Sequence, residues 1–297
     1  MVMLRYRTLL KKSARNHTDN SIMKKSPSNT QLEHWKSRSP ARRMAEVPHE
    51  IKEALNEGWI ESKNLVEWLC VDRKRLANQI AMKFGFEKSF IQRLALLPDA
   101  KALKLSLAIG TLLADYITLG DPCFQRLNTH CSDVVREWTA VLIGATNSIS
   151  FQKRLAWVKP LADDENAGVR EVAWIALRNC VKADLETAIA CLVPWTGSRR
   201  ERLRRYASEI TRPCGVWAAH IPLLKLNPEM ALPILEPLRA DSSKYVRDSV
   251  ANWLNDASKS RGPWVHEIAK RWTIESDCAE TALIVKRALR TLRKNPA

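Results

Sequence analysis

The chain has 297 residues, of which 45% are hydrophobic, so it is long enough to bury a sizeable core. Its 48 Lys and Arg residues outnumber 32 Asp and Glu residues, and the formal net charge of +16 favours a polyanionic partner such as nucleic acid. With only 9 Gly and 14 Pro, a β-rich fold is disfavoured, and the sequence contains no Walker loop, GxGxxG turn, GxSxG elbow or HExxH motif.

The cysteines and the apolar stretches exclude further classes of protein. Seven Cys residues form no CxxC pair and show no regular spacing, so we expect no disulfide framework, no zinc site and no cofactor. The longest apolar stretch, residues 105–117, is interrupted by Asp115 and is too short to span a bilayer. We therefore expect a monomer in the cytoplasm, associated with the nucleoid and not with a membrane.

The first 45 residues differ in composition from the rest of the chain. They hold eleven Lys or Arg residues against Asp19 and Glu33, they are rich in Ser, and they show little hydrophobic periodicity. Such segments cannot bury enough apolar surface to fold. We predict a disordered basic tail over residues 1–45 and a single helical-repeat domain over residues 46–297.

Helical patterns follow the tail in order. Apolar residues at Ile51, Leu55 and Trp59, and then at Leu65 and Trp68, predict two short helices. Residues 72–86, 90–97 and 101–119 continue the helical pattern without a clear repeated phrase. This part of the chain is therefore expected to be helical but irregular.

A phrase then recurs through the second half of the chain. It reads VREWTAVL at residues 135–142, VREVAWIAL at 169–177, LRRYASEIT at 203–211 and VRDSVANWL at 246–254, with a fainter VKRALRTL from Val285. Repeats of this length are typical of stacked helical pairs, because one pair cannot bury its apolar face without a neighbour. The sequence predicts an all-α fold: a right-handed α-solenoid of about six HEAT-like helix pairs with a concave basic face that binds DNA.

Two positions of the phrase carry charge. The second position holds Arg136, Arg170 and Arg247, which either form a structural ladder between neighbouring repeats or act at the surface. The third position, hereafter the register position, holds Glu137, Glu171, Arg205 and Asp248, and stacking would set these side chains in a row.

Tryptophan adds a candidate binding surface. Trp174 shares a helix face with Glu171 and Arg178, and an aromatic side chain on a polar surface is suited to stacking against a sugar or base. Trp217 is expected in a loop close to Arg212, where it either meets a nucleic-acid backbone or caps the solenoid.

Four stretches resemble a known family. These are IKEALNEGWIESKNLVEWL (residues 51–69), GVREVAWIALR (168–178), RRYASEITRPCGVW (204–217) and LEPLRADSSKYVRDSVANWLNDASK (235–259). They are similar to the AlkC branch of the AlkC/AlkD alkylpurine DNA glycosylases over roughly residues 48–275. Some members carry an additional C-terminal immunoglobulin-like domain, whose DNA contacts we expect to be absent from this chain.

The resemblance implies an enzyme built from HEAT-like repeats that hydrolyses the N-glycosidic bond of alkylated bases in double-stranded DNA during base excision repair. Cationic bases such as 3-methyladenine, with 3-methylcytosine as a further candidate, leave readily, so carboxylates need only stabilise an oxocarbenium-like transition state. Matching positions assign catalysis to Glu137, Glu171, Trp174 and Asp248. The candidates for DNA binding are Arg178, Arg205, Arg212, Lys244 and Trp217. Asn252 is a candidate for lesion contact, and Glu209 either contacts the lesion or pairs structurally with Arg212.

Three other interpretations stay open. A non-catalytic HEAT-repeat protein that binds branched or damaged DNA would keep the repeats and the basic charge. A protein-binding scaffold would prefer an acidic or apolar concave face. An RNA-binding repeat protein would fit the charge but should show a base-reading code, which is not apparent.

Overall fold

The computed structural model describes residues 26–215 and 217–294, and this part of the chain is helical without β-strands. The first helices are α1 (Asn29–Ser37), α2 (His49–Asn56), α3 (Leu65–Leu69), α4 (Arg73–Phe84), α5 (Lys88–Ala95) and α6 (Ala102–Leu113). They are followed by α7 (Pro122–Asn128), α8 (Asp133–Ala145), α9 (Phe151–Ala162), α10 (Ala167–Ala183), α11 (Leu185–Thr196) and α12 (Glu201–Ile210). The last are α13 (Pro222–Leu226), α14 (Leu232–Leu235), α15 (Lys244–Ala257), α16 (Gly262–Glu275), α17 (Ala279–Ala288) and α18 (Arg290–Lys294).

The predicted α-solenoid of HEAT-like repeats is confirmed. The four clear phrases lie in α8, α10, α12 and α15, and the fainter fifth phrase spans α17 and α18. Helices α6, α8, α10, α12, α15 and α17 pack side by side in that order and form one row, here called the inner row. Helices α9 and α11 pack against α8, α10 and α12 and form a second layer behind the inner row. The phrase therefore marks one helix of each pair.

Small residues let the inner row pack closely. A Cβ atom on Gly110 of α6 would lie 2.4 Å from Val141 Cβ of α8, and a Cβ on Gly144 of α8 would lie 2.4 Å from the backbone oxygen of Ala176 in α10. Neither distance is possible for a real Cβ atom, so these helices approach each other at glycine. Fully buried Trp138, together with aliphatic side chains, fills the space around these contacts.

The repeated arginines form the structural ladder. Each one donates to the backbone oxygens of the residues six and five positions before it: Arg136 to His130 and Cys131, Arg170 to Asp164 and Glu165, Arg204 to Ser198 and Arg199, and Arg247 to Asp241 and Ser242. Those carbonyls precede the helix and have no helical partner. The arginine thus fixes the turn that leads into its own inner-row helix.

Two of these arginines also join neighbouring repeats. Arg136 forms a bidentate pair with Asp164 at 2.8 and 3.1 Å, and Arg204 forms one with Asp241 at 2.6 and 2.9 Å. Each aspartate also accepts a backbone N–H two residues later, at 2.8 Å in both cases. The ladder therefore sets the spacing between successive inner-row helices.

The predicted boundary at residue 46 is too late. Residues 29–37 form α1, where Trp35 is buried and its ring stacks on Trp59 with a centroid distance of 6.1 Å. Arg38 forms an ion pair with buried Glu67. The composition of this segment predicts disorder, but Trp35 and Arg38 attach it to the rest of the fold. The folded unit therefore begins by Asn29. Residues 1–25 of the predicted tail lie outside the described residues.

We expect the ladder to matter for stability. Replacing Arg204 with Met leaves Asp241 and two loop carbonyls without their charged donor, and breaking this partly buried pair should cost about 1 to 3 kcal/mol. Replacing Arg202 with Met on the same helix should cost less than about 1 kcal/mol, because its partner Glu165 is 84% exposed. Urea unfolding of both variants measures the difference, and equal costs would contradict a structural role for Arg204.

Candidate functional site

One cavity opens on the inner row between α10, α12, α15 and α17. It encloses about 320 Å³ and is lined by Glu171, Trp174, Arg205, Glu209, Arg212, Trp217, Tyr245, Asp248, Ser249, Asn252 and Arg287. Three carboxylates, three guanidinium groups and three aromatic rings are among these residues. The charged side chains lining the cavity therefore balance, whereas a basic surface was expected.

Four lining residues occupy the same position of four successive phrases. Glu171, Arg205 and Asp248 hold the register position of α10, α12 and α15, and Arg287 holds it in the fainter phrase on α17. The signs alternate along the row. Arg205 pairs with Glu171 at 2.7 Å, and Arg287 pairs with Asp248 at 2.6 Å. The row predicted from the phrase spacing is thus a line of ion pairs between adjacent helices.

Glu171 is held at both carboxylate oxygens and still faces the cavity. Its Oε1 forms an ion pair with Arg205 Nη1 at 2.7 Å, and its Oε2 accepts a hydrogen bond from the indole Nε1 of Trp174 at 2.9 Å. The Glu171 side chain is 39% exposed, whereas Trp174 is buried except for the edge that lines the cavity. This arrangement presents a fixed negative charge to anything that enters.

Asp248 is shared between two cations. Its Oδ2 lies 2.6 Å from Lys244 Nζ and its Oδ1 lies 2.6 Å from Arg287 Nη1. Partial burial acts to raise the pKa of Asp248, but the bonds and charges of Lys244 and Arg287 outweigh it and hold the pKa below its usual value. Lys244 itself is 79% exposed at the start of α15, so its ammonium group remains open to solvent. Asn252 lines the cavity one turn beyond Asp248.

Glu209 forms the floor of the cavity. It is 4% exposed, accepts from Ser249 Oγ and from Arg212 at 2.7 Å each, and lies 3.5 Å from Arg205. Burial acts to raise the pKa of Glu209, but the two neighbouring guanidinium groups outweigh it and lower the pKa. Asp256 takes the remaining donors of Arg212. The structural pairing of Glu209 with Arg212 is therefore present.

Arg178 is in the core and not at the DNA-facing surface that was expected. It is 1% exposed and donates to the backbone oxygens of Ile210, Arg212 and Ala219. These bonds tie the C-terminal end of α12 to the loop that follows it. That loop carries Trp217, which is 67% exposed at the cavity rim. Trp174 and Arg178 lie on the same helix face, as predicted, but the end of α12 and the loop after it cover Arg178.

Glu137 does not reach the cavity. It is fully buried in α8, accepts from Trp68 Nε1 at 2.6 Å and from Ser106 Oγ at 3.4 Å, and lies near Arg73. Burial, and then repulsion from Asp133, raises the pKa of Glu137 to about 8. At this repeat the register position faces α3 and α6, so Glu137 is separated from Glu171 and Asp248.

Three lining residues, Tyr245, Ser249 and Arg287, were not predicted from the sequence. Tyr245 precedes the fourth phrase, and the guanidinium carbons of Arg205 and Arg170 lie 4.9 and 5.4 Å from the centroid of its ring. No signal in the sequence identifies it. Arg287 could have been found by carrying the register position into the fainter phrase.

The buried Glu137 carboxyl gives a testable pH dependence. The folded chain keeps a proton up to about pH 8 that the unfolded chain releases near its ordinary pKa of 4.5, so raising pH through this window lowers the unfolding free energy. The loss approaches about 1.4 kcal/mol per pH unit where only the folded chain holds the proton. Glu137→Gln has no such proton and should gain stability relative to wild type from pH ~5 to ~8. Urea unfolding across this range checks the sign, and parallel stability curves would contradict it.

Comparison with known proteins adds the following. No protein-family model matches the chain. Over 119 residues it is 44% identical to the uncharacterized protein YhaZ of Bacillus subtilis, covering 40% of this chain and 33% of that protein. The match therefore spans about a third of the relative's length.

Solved structures match more of the chain. The Pseudomonas fluorescens alkylpurine DNA glycosylase AlkC, bound to DNA containing an abasic site analog, is 26% identical with a TM-score of 0.58, over 82% of this chain and 65% of that one. AlkD2 from Streptococcus mutans is 27% identical with a TM-score of 0.52, and the match covers 68% of this chain and 97% of that one. The smu.31 protein from Streptococcus mutans is 25% identical with a TM-score of 0.52, over 72% and 96%. The resemblance to AlkC and AlkD is thus confirmed.

Proposed function

We propose that this chain, which resembles the AlkC and AlkD alkylpurine DNA glycosylases in sequence and fold, is itself a DNA glycosylase that releases cationic alkylated bases from double-stranded DNA. The observation that carries the proposal is the Glu171 carboxylate, fixed by Arg205 and Trp174 and open to a cavity on the inner row.

Among the described helices, none combines the length and apolar character needed to cross a membrane.

The chemistry of the cavity suits this reaction. A base alkylated at a ring nitrogen carries positive charge and leaves without prior protonation. The enzyme must then stabilise the positive charge that develops on the deoxyribose, and a fixed carboxylate beside the sugar does so without reorganising. Glu171 is the carboxylate best placed for this role, with Asp248 as a second contributor. The exposed ring of Trp217 at the cavity rim offers a surface on which a base or sugar can stack, while Trp174 and Tyr245 complete the aromatic lining.

Exposed groups near the rim support the DNA-binding part of the proposal. Lys244 is suited to a phosphate contact because its ammonium group is exposed, and Trp217 is suited to contact the duplex for the same reason. Arg205 and Arg212 line the cavity, but carboxylates already occupy their guanidinium groups. We therefore assign direct backbone contact to Lys244 and Trp217.

The charge of the carboxylates should be essential for the chemical step. Glu171→Gln is expected to lower the rate of base release by about 100- to 1,000-fold, the usual cost of removing one transition-state electrostatic partner. Asp248→Asn should cost less, because two cations already offset that carboxylate. Single-turnover release from a methylated duplex measures both rates, and anisotropy with an abasic-analog duplex verifies that binding is retained. Wild-type rates in both variants would contradict the assignment.

The substrate range is a separate prediction. No lysine is among the cavity-lining residues, so we expect free base without β-elimination of the strand. Duplexes containing 3-methyladenine should release base, and 3-methylcytosine is the next candidate. Uracil and hypoxanthine are neutral, poor leaving groups and should remain in the duplex. Chromatography of free base and gels of strand breaks, before and after alkali, give the answer. Strand cleavage without alkali or uracil release would overturn this mechanism.

The alternative of a non-catalytic binder of branched or damaged DNA is decided by the same experiment. Such a protein would bind the abasic-analog duplex but release no base from any lesion.

A further inference from the structure

The two ion pairs between register-position residues, Arg205 with Glu171 and Arg287 with Asp248, are not equivalent. Asp248 has a cation at each carboxylate oxygen, from Lys244 and from Arg287. Glu171 has one cation, Arg205, at Oε1 and the neutral indole N–H of Trp174 at Oε2. The negative charge of Glu171 is therefore offset by fewer cations than that of Asp248. Among the described residues, its position depends on a single charged partner.

Arg205 is built into the wall. Its side chain is only 10% exposed, and its guanidinium carbon lies 4.9 Å from the centroid of the Tyr245 ring. A guanidinium packed on an aromatic face has a fixed plane, so its donors point in fixed directions. Arg170 donates to the Tyr245 hydroxyl at 3.3 Å and so helps to hold the ring. The ladder is thereby linked to the cavity through Tyr245.

Glu209 is the second carboxylate near Arg205, but unlike Glu171 it also pairs with a second guanidinium group, that of Arg212. The distance between Arg205 Nη2 and Glu209 Oε2 is 3.5 Å, against 2.7 Å for the pair of Arg205 with Glu171. Glu209 also has Arg212 and Ser249 at 2.7 Å each. Loss of Arg205 would leave Glu209 paired and Glu171 without its cation.

We propose that Arg205 is the positioning residue for Glu171. It does not contact phosphate. It holds the Glu171 carboxylate between its own guanidinium and the Trp174 indole, so that the charge faces the reacting sugar before DNA arrives. The proposal rests on the proposed glycosylase function for its effect on rate, but the positioning itself is a property of the DNA-free protein.

A double-mutant cycle separates positioning from a general structural role. Arg205→Met should lower kcat on a methylated duplex by about 10- to 100-fold, with KM changed less than about threefold, because the loss acts on the transition state. Arg205→Lys, which keeps the charge, should recover part of that loss. In a Glu171→Gln background, Arg205→Met should add less than about twofold, since the residue it positions no longer carries charge. Arg202→Met on the same helix is the matched control and should keep the wild-type kcat.

A second measurement uses the protein without DNA. The indole N–H of Trp174 bonds to Glu171, so its NMR signal, assigned by its loss in Trp174→Phe, reports where the Glu171 carboxylate lies. Arg205→Met should shift this signal, Arg205→Lys should shift it less, and Arg202→Met should leave it in place. Thermal unfolding of each variant verifies that the fold is kept, and if Arg205→Met unfolds, Arg205→Lys carries both measurements.

The outcomes are distinct. An additive cycle with Glu171, or non-additivity with Glu209→Gln instead, would overturn the proposal, and so would an unmoved Trp174 signal. If the wild-type protein releases no base, the glycosylase function fails, and the Trp174 signal alone then decides whether Arg205 positions Glu171. A shifted signal with a non-additive cycle supports both.

Discussion

The ladder arginine at the start of α8, α10, α12 and α15 is the interaction on which the site depends. By donating to the carbonyls of the turn before its helix, and in two repeats to an aspartate of the next turn, it fixes where each helix begins. The residue that follows the arginine therefore has a fixed position near the start of its helix. In α10, α12 and α15 that residue is charged, so a structural contact places a line of charges on neighbouring helices.

The line of charges is stable at the cavity because positive and negative side chains alternate along it. Pairs of opposite charge on adjacent helices satisfy one another, so four ionised side chains tolerate partial burial without a net local charge. A cavity of this kind differs from a simple basic groove. Its long-range attraction for DNA must come from exposed cations around it, such as Lys244, while its interior presents carboxylates to the sugar.

The N-terminal half of the molecule uses the same register position differently. Glu137 holds the place that Glu171 holds one repeat later, but α3 and α6 cover it, and Trp68 and Ser106 supply its hydrogen bonds. Its pKa of about 8 follows from burial beside Asp133. One position of one repeated phrase thus gives a buried carboxyl in one repeat and a cavity carboxylate in the next, and neighbouring helices alone make the difference.

The sequence by itself determined the helical class, the repeat period and the shared register of Glu171, Arg205 and Asp248, because packing of identical units requires periodic apolar residues and fixes what lies beside them. It misjudged residues 26–45, since the contacts of Trp35 and Arg38 are long-range and leave no local pattern. Tertiary structure alone decided that Arg178 is buried and that Tyr245 joins the cavity. Exposure of a side chain depends on which helix covers it, and that is set by packing across the repeats and not by spacing within one.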